Sequence, residues 1–295
     1  MTKTMRMTNP KSSYVPEREV LYLRTSLLKT YLRCPAQCLF RYFKGLVVLP
    51  RSFATLGSST HKTAEYANQY KVRKGRDTKL SVLQDVFYED FKDRKKKTWW
   101  LKSEDPNDFE KEGIKQIIPA YHEGIAKVVE PLYVEESFKI EFPEKKVVTT
   151  GTLDLVETNR MIRDLKTKKR KPQWDEAIKS FQGKSYRAGF REKFKKEPKG
   201  FVLDCIVRQK KAAVITTKPV KFTTKDDEEF RSVVGMIVDN IRQGIFYPRR
   251  EGNYFCSPNS CGFWGICVKG AWRNPGVFTK VFGSNEAEDD NKGEE

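Results

Sequence analysis

Two carboxylates and a lysine lie close together near the middle of the chain. Asp164 and Lys166 are two residues apart in a segment whose alternation predicts a β-strand, so both side chains project from one face. Asp154 is on the preceding predicted strand, across a four-residue turn, and can be brought beside Asp164. Together with the backbone carbonyl of Leu165, the two carboxylates form an all-oxygen ligand set suited to Mg²⁺ or Mn²⁺. A lysine beside such an ion could orient or deprotonate a water and hold a phosphate, which is the chemistry of phosphodiester hydrolysis.

The same residues could instead be solvent-facing side chains of an exposed hairpin, because Asp-x-Lys is a common pattern. Other residues favour a site. Gln182 and Tyr186 are four apart in a predicted helix, which places them on one face of that helix. His61 follows a Gly-Ser-Ser-Thr segment that predicts a turn, and it begins a predicted helix with Glu65 one turn later.

Three of the six cysteines form a C-x4-C-x5-C run at Cys256, Cys261 and Cys267, with proline and glycine residues that permit tight turns. We expect no disulfide framework, because the first residues lack the apolar stretch of a secretory signal. A fourth thiolate is available from Cys34 or Cys38. Three local cysteines and a remote one are compatible with an Fe–S cluster, while a zinc site and plain buried thiols are the alternatives.

The composition points to a polyanionic partner. The 295 residues carry a formal charge of +18, and residues 163–199 alone contain fourteen basic and five acidic side chains. We expect sequence-independent contacts to nucleic acid phosphates in preference to an anionic membrane surface, although a solvated helix is the simpler alternative. No run of 18 apolar residues occurs, so we expect no membrane-spanning helix. The candidate phosphate contacts are Lys168, Lys169, Arg170, Lys184, Arg187 and Arg191.

The hydrophobic pattern predicts helices first, then strands, then a further helix. Helical periodicity covers 25–34, 61–72, 80–101 and 109–130, and the alternation typical of strands covers 133–142, 147–156 and 161–167. A helix at 173–190, a hairpin at 201–208 and 213–220, and a capping box at Thr224 and Asp227 follow. This order predicts an α/β domain with a mixed central sheet flanked by helices, an N-terminal helical part and a C-terminal cysteine knuckle.

Taken together, these residues resemble the PD-(D/E)XK nuclease superfamily, and specifically its RecB-like exonuclease branch. The matching segments run from Leu56-Gly-Ser-Ser-Thr-His61 through Gly151-Thr-Leu-Asp154 and Asp164-Leu-Lys166-Thr167 to Gln182-Gly-Lys-Ser-Tyr186. The resemblance implies a restriction-endonuclease-like fold. It further implies that His61, Asp154 and Asp164 bind the metal, that Lys166 is the catalytic lysine, and that Gln182 and Tyr186 contact DNA and position the site.

A subset of this branch carries a [4Fe-4S] cluster, with one cysteine before the nuclease core and three after it. It includes the AddB nuclease domain and the CRISPR-associated RecB-like nucleases. Its first cysteine lies in a Cys-Pro pair, which matches Cys34-Pro35, whereas its usual C-x2-C-x5-C trio differs from the spacing here. The resemblance therefore implies cluster ligands at Cys34, Cys256, Cys261 and Cys267. Cys205 lies in an apolar strand pattern and is expected in the core.

The resemblance implies one nuclease domain over 21–283, after a flexible arm at 1–20 and before an acidic tail at 284–295. Its parts are a helical region at 21–131, the catalytic sheet at 132–247 and the knuckle at 248–275. The implied activity is metal-dependent hydrolysis of single-stranded or frayed DNA ends in the cytoplasm of a bacterial or phage-infected cell. The chain has no Gly-x4-Gly-Lys-[Ser/Thr] loop, so we expect no helicase motor of its own. The resemblance implies a role in replication, recombination or repair, with a helicase, a recombinase or another replication or repair protein as partner. The alternatives are a non-catalytic Fe–S DNA-binding protein and a zinc-knuckle interaction module.

Overall fold

The computed structural model describes residues 20–273. The predicted N-terminal arm, except for Val20, and the predicted acidic tail lie outside this range. In the described part, no helix is both long and apolar enough to cross a bilayer. The α-helices are α1 (Thr25–Arg33), α2 (Pro35–Cys38), α3 (Ser52–Lys74), α4 (Leu80–Lys95), α5 (Pro106–Glu112), α6 (Ile118–Tyr121), α7 (Phe181–Phe194), α8 (Thr224–Arg242) and α9 (Trp264–Val268).

Short π-helical turns continue three of these helices, at Leu39–Phe43, Gly113–Ile117 and His122–Ala126. The strands are β1 (Leu21–Arg24), β2 (Pro131–Phe142), β3 (Val147–Glu157), β4 (Met161–Lys168), β5 (Gly200–Val207) and β6 (Ala213–Thr216). The described residues fall into two compact units, with boundaries before α3, within β2, within β3 and at the start of α8. Unit 1 contains residues 20–48, 138–151 and 224–273, and unit 2 contains 49–137 and 152–223.

Unit 1 is built around an aromatic core. Strand β1 pairs in parallel with the Val147–Thr150 part of β3. Helix α8 buries Phe230, Val234 and Ile237 on one face, and it begins at Thr224, where the sequence predicts a capping box. Phe142 of β2 packs against the ring of Phe230, with 6.3 Å between the ring centroids.

Unit 2 contains the mixed part of the sheet. The end of β3 pairs with β4 in the antiparallel direction, β4 with β5 in parallel, and β5 with β6 in the antiparallel direction. One face of this sheet packs Leu155, Leu165 and Ile206 against a cluster built mainly from α3, α4 and α6. Helix α7 packs through Tyr186 against Phe201 of β5, at a ring distance of 6.3 Å. Because side chains alternate along β4, Asp164 and Lys166 project from the face opposite Leu165.

Helix α3 is longer than predicted, and the turn predicted just before His61 is wrong. It begins at Ser52, so the Gly57-Ser-Ser-Thr segment is helical and His61 lies in mid-helix rather than at a helix start. Serine and threonine are compatible with a position inside a helix because their hydroxyl groups can donate hydrogen bonds to backbone carbonyls of the preceding turn. Thr60 Oγ1 donates to the carbonyl of Leu56 at 2.8 Å, and Thr63 Oγ1 to that of Ser59 at 2.9 Å.

Helix α7 starts later than predicted, at Phe181 instead of residue 173. Ser180 caps its N-terminus, accepting a hydrogen bond from Gly183 N at 3.0 Å, and residues 174–179 form turns before it. Gly183 allows close packing of α7, since a Cβ there would lie 2.8 Å from the rings of both Phe201 and Phe222.

Other element boundaries also differ from the sequence pattern. Helix α4 ends at Lys95, and the two tryptophans that follow it are not helical. Trp99 instead forms a β-bridge with Arg51, and the Trp100 indole donates to Lys95 O at 3.0 Å. These contacts satisfy the polar groups of the segment without another helical turn. Strand β1 was not predicted from the sequence.

Candidate active site

The β3–β4 turn places the two predicted aspartates opposite each other. The antiparallel register pairs Leu155 with Arg163 and Val156 with Ile162. Extending this register by one residue puts Asp154 beside Asp164. The four-residue spacing of the turn is therefore the local feature that forms the carboxylate pair.

A chain of close polar contacts links the six predicted side chains of the site. Lys166 Nζ donates to Asp164 Oδ1 at 2.8 Å and to Gln182 Oε1 at 3.4 Å. Gln182 Nε2 donates to Tyr186 Oη at 2.6 Å, and Tyr186 Oη donates to Asp154 Oδ1 at 2.8 Å.

His61 completes the group, with Nδ1 placed 3.4 Å from Asp154 Oδ2. The structure thus brings together His61, Asp154, Asp164, Lys166, Gln182 and Tyr186. Leu165, whose carbonyl is the remaining predicted ligand, lies between the aspartate and the lysine on β4.

Burial sets the protonation of these groups. Burial raises the pKa of the fully buried Asp164, and Asp154 adds to this effect while Lys166 opposes it. Burial lowers the pKa of Lys166, but Asp164 and Asp154 outweigh it, so this pKa lies above its ordinary value. Lys166 is therefore an ammonium group at neutral pH. The pKa of Tyr186 is also raised, chiefly by burial, which keeps its hydroxyl a donor.

The site opens into a cavity of about 510 Å³ that holds further charged groups. Glu65 and Glu135 line it together with Asp154, and Lys62 and Arg94 add cations. Although Glu135 is partly exposed to solvent, the surrounding protein desolvates its carboxyl group and raises its pKa to about 8, with Asp154 and Glu65 contributing in that order. Glu135 was not predicted from the sequence as a site residue, and its backbone, at φ +52°, is left-handed inside a strand.

The charge distribution fits a divalent cation. Asp164 Oδ2 is ion-paired with Lys166 Nζ at 2.7 Å, whereas Asp154 Oδ2 accepts no hydrogen bond from a described residue and has His61 Nδ1 3.4 Å away. Buried carboxylate oxygens that repel one another are stabilised by a cation. Over residues 20–273, however, no three histidine, cysteine, aspartate or glutamate side chains are already arranged as a metal-binding group.

Asp204, a buried carboxylate nearby on β5, is an example of a carboxylate with a structural role. Both of its oxygens accept hydrogen bonds from Arg163 Nη1, at 3.0 and 2.9 Å, and Oδ1 also accepts one from Thr216 at 2.6 Å. A compensated carboxylate of this kind has no need of a metal ion. Burial alone therefore does not single out Asp154 and Asp164; what distinguishes them is that they face each other, and that Asp154 lines the cavity with one oxygen that accepts no hydrogen bond from a described residue.

The predicted phosphate-contacting residues fall into two groups. Lys169 and Arg170 are exposed just after β4, whereas Lys168 is ion-paired with Glu176. Arg191 is exposed and lies 2.7 Å from Glu197.

Lys184 and Arg187 are only 8% and 5% exposed, because they lie on the part of α7 that packs into unit 2. They therefore do not belong to an exposed basic surface, which corrects the expectation for these two residues.

The cysteines of the predicted cluster influence one another within unit 1. Burial raises the pKa of the Cys256, Cys261 and Cys267 thiols, and Cys34 raises each of them further. Such an influence requires short distances, so the remote cysteine lies near the trio. Among the described residues, however, no three of these thiols are already arranged as a metal-binding group.

Hydrogen bonds hold the backbone beside Cys34 to the segment before the trio. Asn253 Nδ2 donates to Arg33 O at 3.2 Å, and Arg249 donates to Leu32 O at 3.0 Å. Cys38, the alternative fourth ligand, is buried, with Sγ 4.0 Å from Leu27 O. Cys205 is buried in β5, as expected.

A solved structure of another protein has a similar fold. The crystal structure of a "putative exonuclease" from Eubacterium rectale is 13% identical, with a TM-score of 0.50 over 83% of this chain and 89% of that one. The structure named SSO0001 is 14% identical over 83% of this chain and 95% of that one, but its TM-score of 0.34 is too low to indicate a shared fold. No curated protein matches the chain.

A match to a family model shows the superfamily of the chain. The model described as the PD-(D/E)XK nuclease superfamily matches residues 25–268, which is more than half of the chain. This range includes the carboxylate pair, the lysine and the glutamine–tyrosine pair. The chain therefore belongs to the PD-(D/E)XK nuclease superfamily.

Proposed function

We propose that the chain is a metal-dependent DNA nuclease of the RecB-like branch, which hydrolyses phosphodiester bonds at single-stranded or frayed ends. The observation that carries the proposal is the linked group of Asp154, Asp164 and Lys166 beside a 510 Å³ cavity. One oxygen of each carboxylate accepts a hydrogen bond, from Tyr186 or Lys166, whereas Asp154 Oδ2 accepts none from a described residue.

Asp154, Asp164, His61 and the carbonyl of Leu165 would hold Mg²⁺ or Mn²⁺. When bound, the cation supplies Lewis-acid polarisation of the phosphate and lowers the pKa of a water. The oxygens of the carboxylates are the preferred ligands of Mg²⁺, whereas the imidazole of His61 is a better ligand for Mn²⁺.

Lys166 acts as an ammonium group in this proposal. Its pKa is raised, so it donates hydrogen bonds and positive charge and does not abstract a proton. Because it leaves the same strand face as Asp164, it can hold a phosphate oxygen next to the cation. Gln182 orients Nζ through the contact at 3.4 Å, and Tyr186 fixes the Asp154 carboxylate at 2.8 Å.

We further propose that Cys34, Cys256, Cys261 and Cys267 bind a [4Fe-4S] cluster. Its role is structural, since it joins two distant parts of the sequence within unit 1 and metal binding adds directly to folding stability. A zinc site with the same ligands is the alternative, and chemical analysis of iron, acid-labile sulfide and zinc distinguishes the two.

Digestion of end-labelled DNA tests the activity. Anaerobically purified protein is incubated with single-stranded, blunt and frayed double-stranded DNA in Mn²⁺, Mg²⁺ or EDTA. We expect cleavage in Mn²⁺ and Mg²⁺, none in EDTA, and faster loss of label from single-stranded and frayed ends than from blunt ends. DNA binding without cleavage in any of these ions would instead support a non-catalytic DNA-binding protein with the same fold.

A further inference from the structure

Unit 2 contains a second cavity, of about 600 Å³, whose lining includes none of the residues of the carboxylate site. It lies where β4 and β5 begin, between the entry to β4, the loop before β5 and residues 220–222. Ile162 of its lining precedes Asp164 by two residues, and Arg160 precedes it by four. At about 3.3 Å per strand residue, the cavity lies roughly 7–13 Å along the strand from the carboxylates.

The rim of this cavity is strongly cationic. Arg160, Arg187, Lys199 and Lys221 line it, against the single carboxylate of Glu197. That carboxylate is already shared, because Arg187 lies 3.2 Å and Arg191 2.7 Å from its oxygens. The excess of positive charge in a concave surface favours an anionic ligand.

The floor of the cavity is apolar and aromatic. Phe201 and Phe222 face each other with ring centroids 5.8 Å apart, and Ile162 and Val220 complete the floor. Phe222 is half-buried, so part of its ring remains accessible. Aromatic faces beside cations bind ligands that combine a flat ring with a phosphate.

Arg160 lines the cavity from a turn with a left-handed backbone. Its φ of +68° is a left-handed conformation that glycine adopts without strain. Hydrogen bonds from Arg160 N to Glu157 O at 2.8 Å and from Lys199 N to Arg160 O at 2.9 Å hold this conformation. An arginine at such a position places its cation at the cavity in spite of the strained backbone.

We propose that this cavity binds a nucleoside phosphate, with the base against Phe222 and the phosphate on Arg160, Lys199 and Lys221. The volume lies within the range of small-molecule sites, and charge-assisted hydrogen bonds from the cations match a phosphate. The ligand is either a free mononucleotide or the terminal nucleotide of a DNA strand, because both present the same chemistry. The site is distinct from the carboxylate site and requires no metal.

Calorimetric titration of the full chain in EDTA tests this proposal. The probes are deoxythymidine 5′-monophosphate, deoxythymidine and inorganic phosphate. The monophosphate should bind with a Kd below about 1 mM and at least about tenfold more tightly than either of its two parts. Since the readout is binding without metal, its failure would leave the proposed nuclease activity untouched.

Arg160→Gly is the informative variant, because it removes the cation while relieving the backbone. Lys195→Gly is its matched control: Lys195 is exposed, has a φ of +52° and ends α7 outside the cavity lining. We expect about tenfold weaker monophosphate binding in Arg160→Gly and unchanged binding in Lys195→Gly. Phe222→Leu, which keeps an apolar side chain, should reduce the advantage of the monophosphate over inorganic phosphate.

The binding of a thymidine decamer with and without a 5′-phosphate distinguishes a free mononucleotide from the end of a DNA strand as the ligand. If Arg160→Gly abolishes a phosphate-dependent gain in decamer affinity, the ligand is a strand end. If the phosphate adds nothing to decamer binding while the mononucleotide binds, the ligand is free nucleotide. The proposal is overturned if the monophosphate does not bind below 1 mM, if inorganic phosphate binds equally well, or if both glycine variants weaken binding equally.

Discussion

Glu135 lies in strand β2 with a left-handed backbone and adds a third carboxylate to the pair formed by Asp154 and Asp164. Desolvation of its carboxyl group, together with acidic neighbours, raises its pKa to about 8, so the folded protein keeps a proton that the unfolded chain releases near pH 4.5. The folded state then binds more protons between these two values, and stability falls as the pH rises from about 4.5 to 8.

Glu135→Gln should remove this pH dependence in metal-free protein. After allowance for solvent screening, we expect the variant to be about 1–2 kcal/mol more stable than the wild type at pH 8 in EDTA, and no more stable at pH 4.5. Urea unfolding across this range measures the difference. Glu136→Gln is the control, because Glu136 pairs with Lys193 at the surface, and an equal effect there would contradict the assignment.

The residues of the site were predictable where local geometry determines their neighbours. A four-residue turn between antiparallel strands brings Asp154 to Asp164, and the spacing of four in a helix joins Gln182 to Tyr186. Glu135 could not be found in this way, because its place depends on a left-handed residue within a strand and on long-range packing. Neither leaves a pattern in a single sequence.

Helix α3 forms one wall of the active-site cavity through a stretch of small residues, Ala54, Gly57 and Ser58. A Cβ added at Gly57 would have no atom within 4 Å, so larger side chains can be accommodated there without a clash. We expect Gly57→Leu to fold normally and to reduce cleavage at least about tenfold, because its side chain enters the space left for substrate.

Gly57→Ala controls for the effect on the helix itself. Alanine in a helix interior is about 0.5–1 kcal/mol more favourable than glycine, so this variant should unfold at a higher temperature and keep most of its cleavage. Circular dichroism melting and the end-labelled DNA assay give the two readings. Wild-type cleavage by Gly57→Leu would show that substrate does not pass this wall.

The sequence pattern was more reliable for the type of an element than for its ends. Helices α3 and α7 were predicted, but α3 begins nine residues before His61 and α7 begins at Phe181. In α3, serine and threonine suggested a turn, whereas their hydroxyls bond within the helix. In α7, the Ser180 cap decides the start, and its bond to Gly183 outweighs the helical periodicity before it.

At the scale of the whole molecule, the charge of +18 predicts salt-dependent binding to DNA. Each phosphate contact that releases a counterion steepens the dependence of log K on log salt by about 0.7–0.9. Reversing the charges of the exposed Lys169 and Arg170 should therefore reduce this slope by about 2 and weaken all sequences alike. Fluorescence anisotropy of labelled DNA at several salt concentrations measures it.

The matched control for this prediction reverses Arg73 and Lys74, which are exposed at the end of α3. They lie 12 and 13 residues beyond His61, or about 20 Å along the helix, and should change the slope little. An equal change in both double variants would mean that net charge alone, and not a surface next to the site, governs binding.

Serine substitutions of single cysteines test the proposed Fe–S cluster of unit 1. Cys34→Ser should lose iron and lower the unfolding temperature, because the remote ligand ties the beginning of the unit to its end. Cys205→Ser is the control, since Cys205 is buried in β5 of unit 2. Iron and sulfide analysis of anaerobically purified protein decides the result, and equal iron in the wild type and Cys34→Ser would refute Cys34 as a ligand.

The central claim is that Asp164 and Lys166 serve one reaction through different steps, and a paired comparison of their variants tests it most directly. Asp164→Asn removes a proposed ligand, so Mn²⁺ binding measured by calorimetry and cleavage of end-labelled DNA should both be lost. Lys166→Ala should bind Mn²⁺ at least as well as the wild type, because the ammonium no longer competes for the Asp164 oxygens, and it should still bind DNA, yet cut about 10²–10³-fold more slowly. Wild-type cleavage rates in both folded variants would contradict the proposed active site.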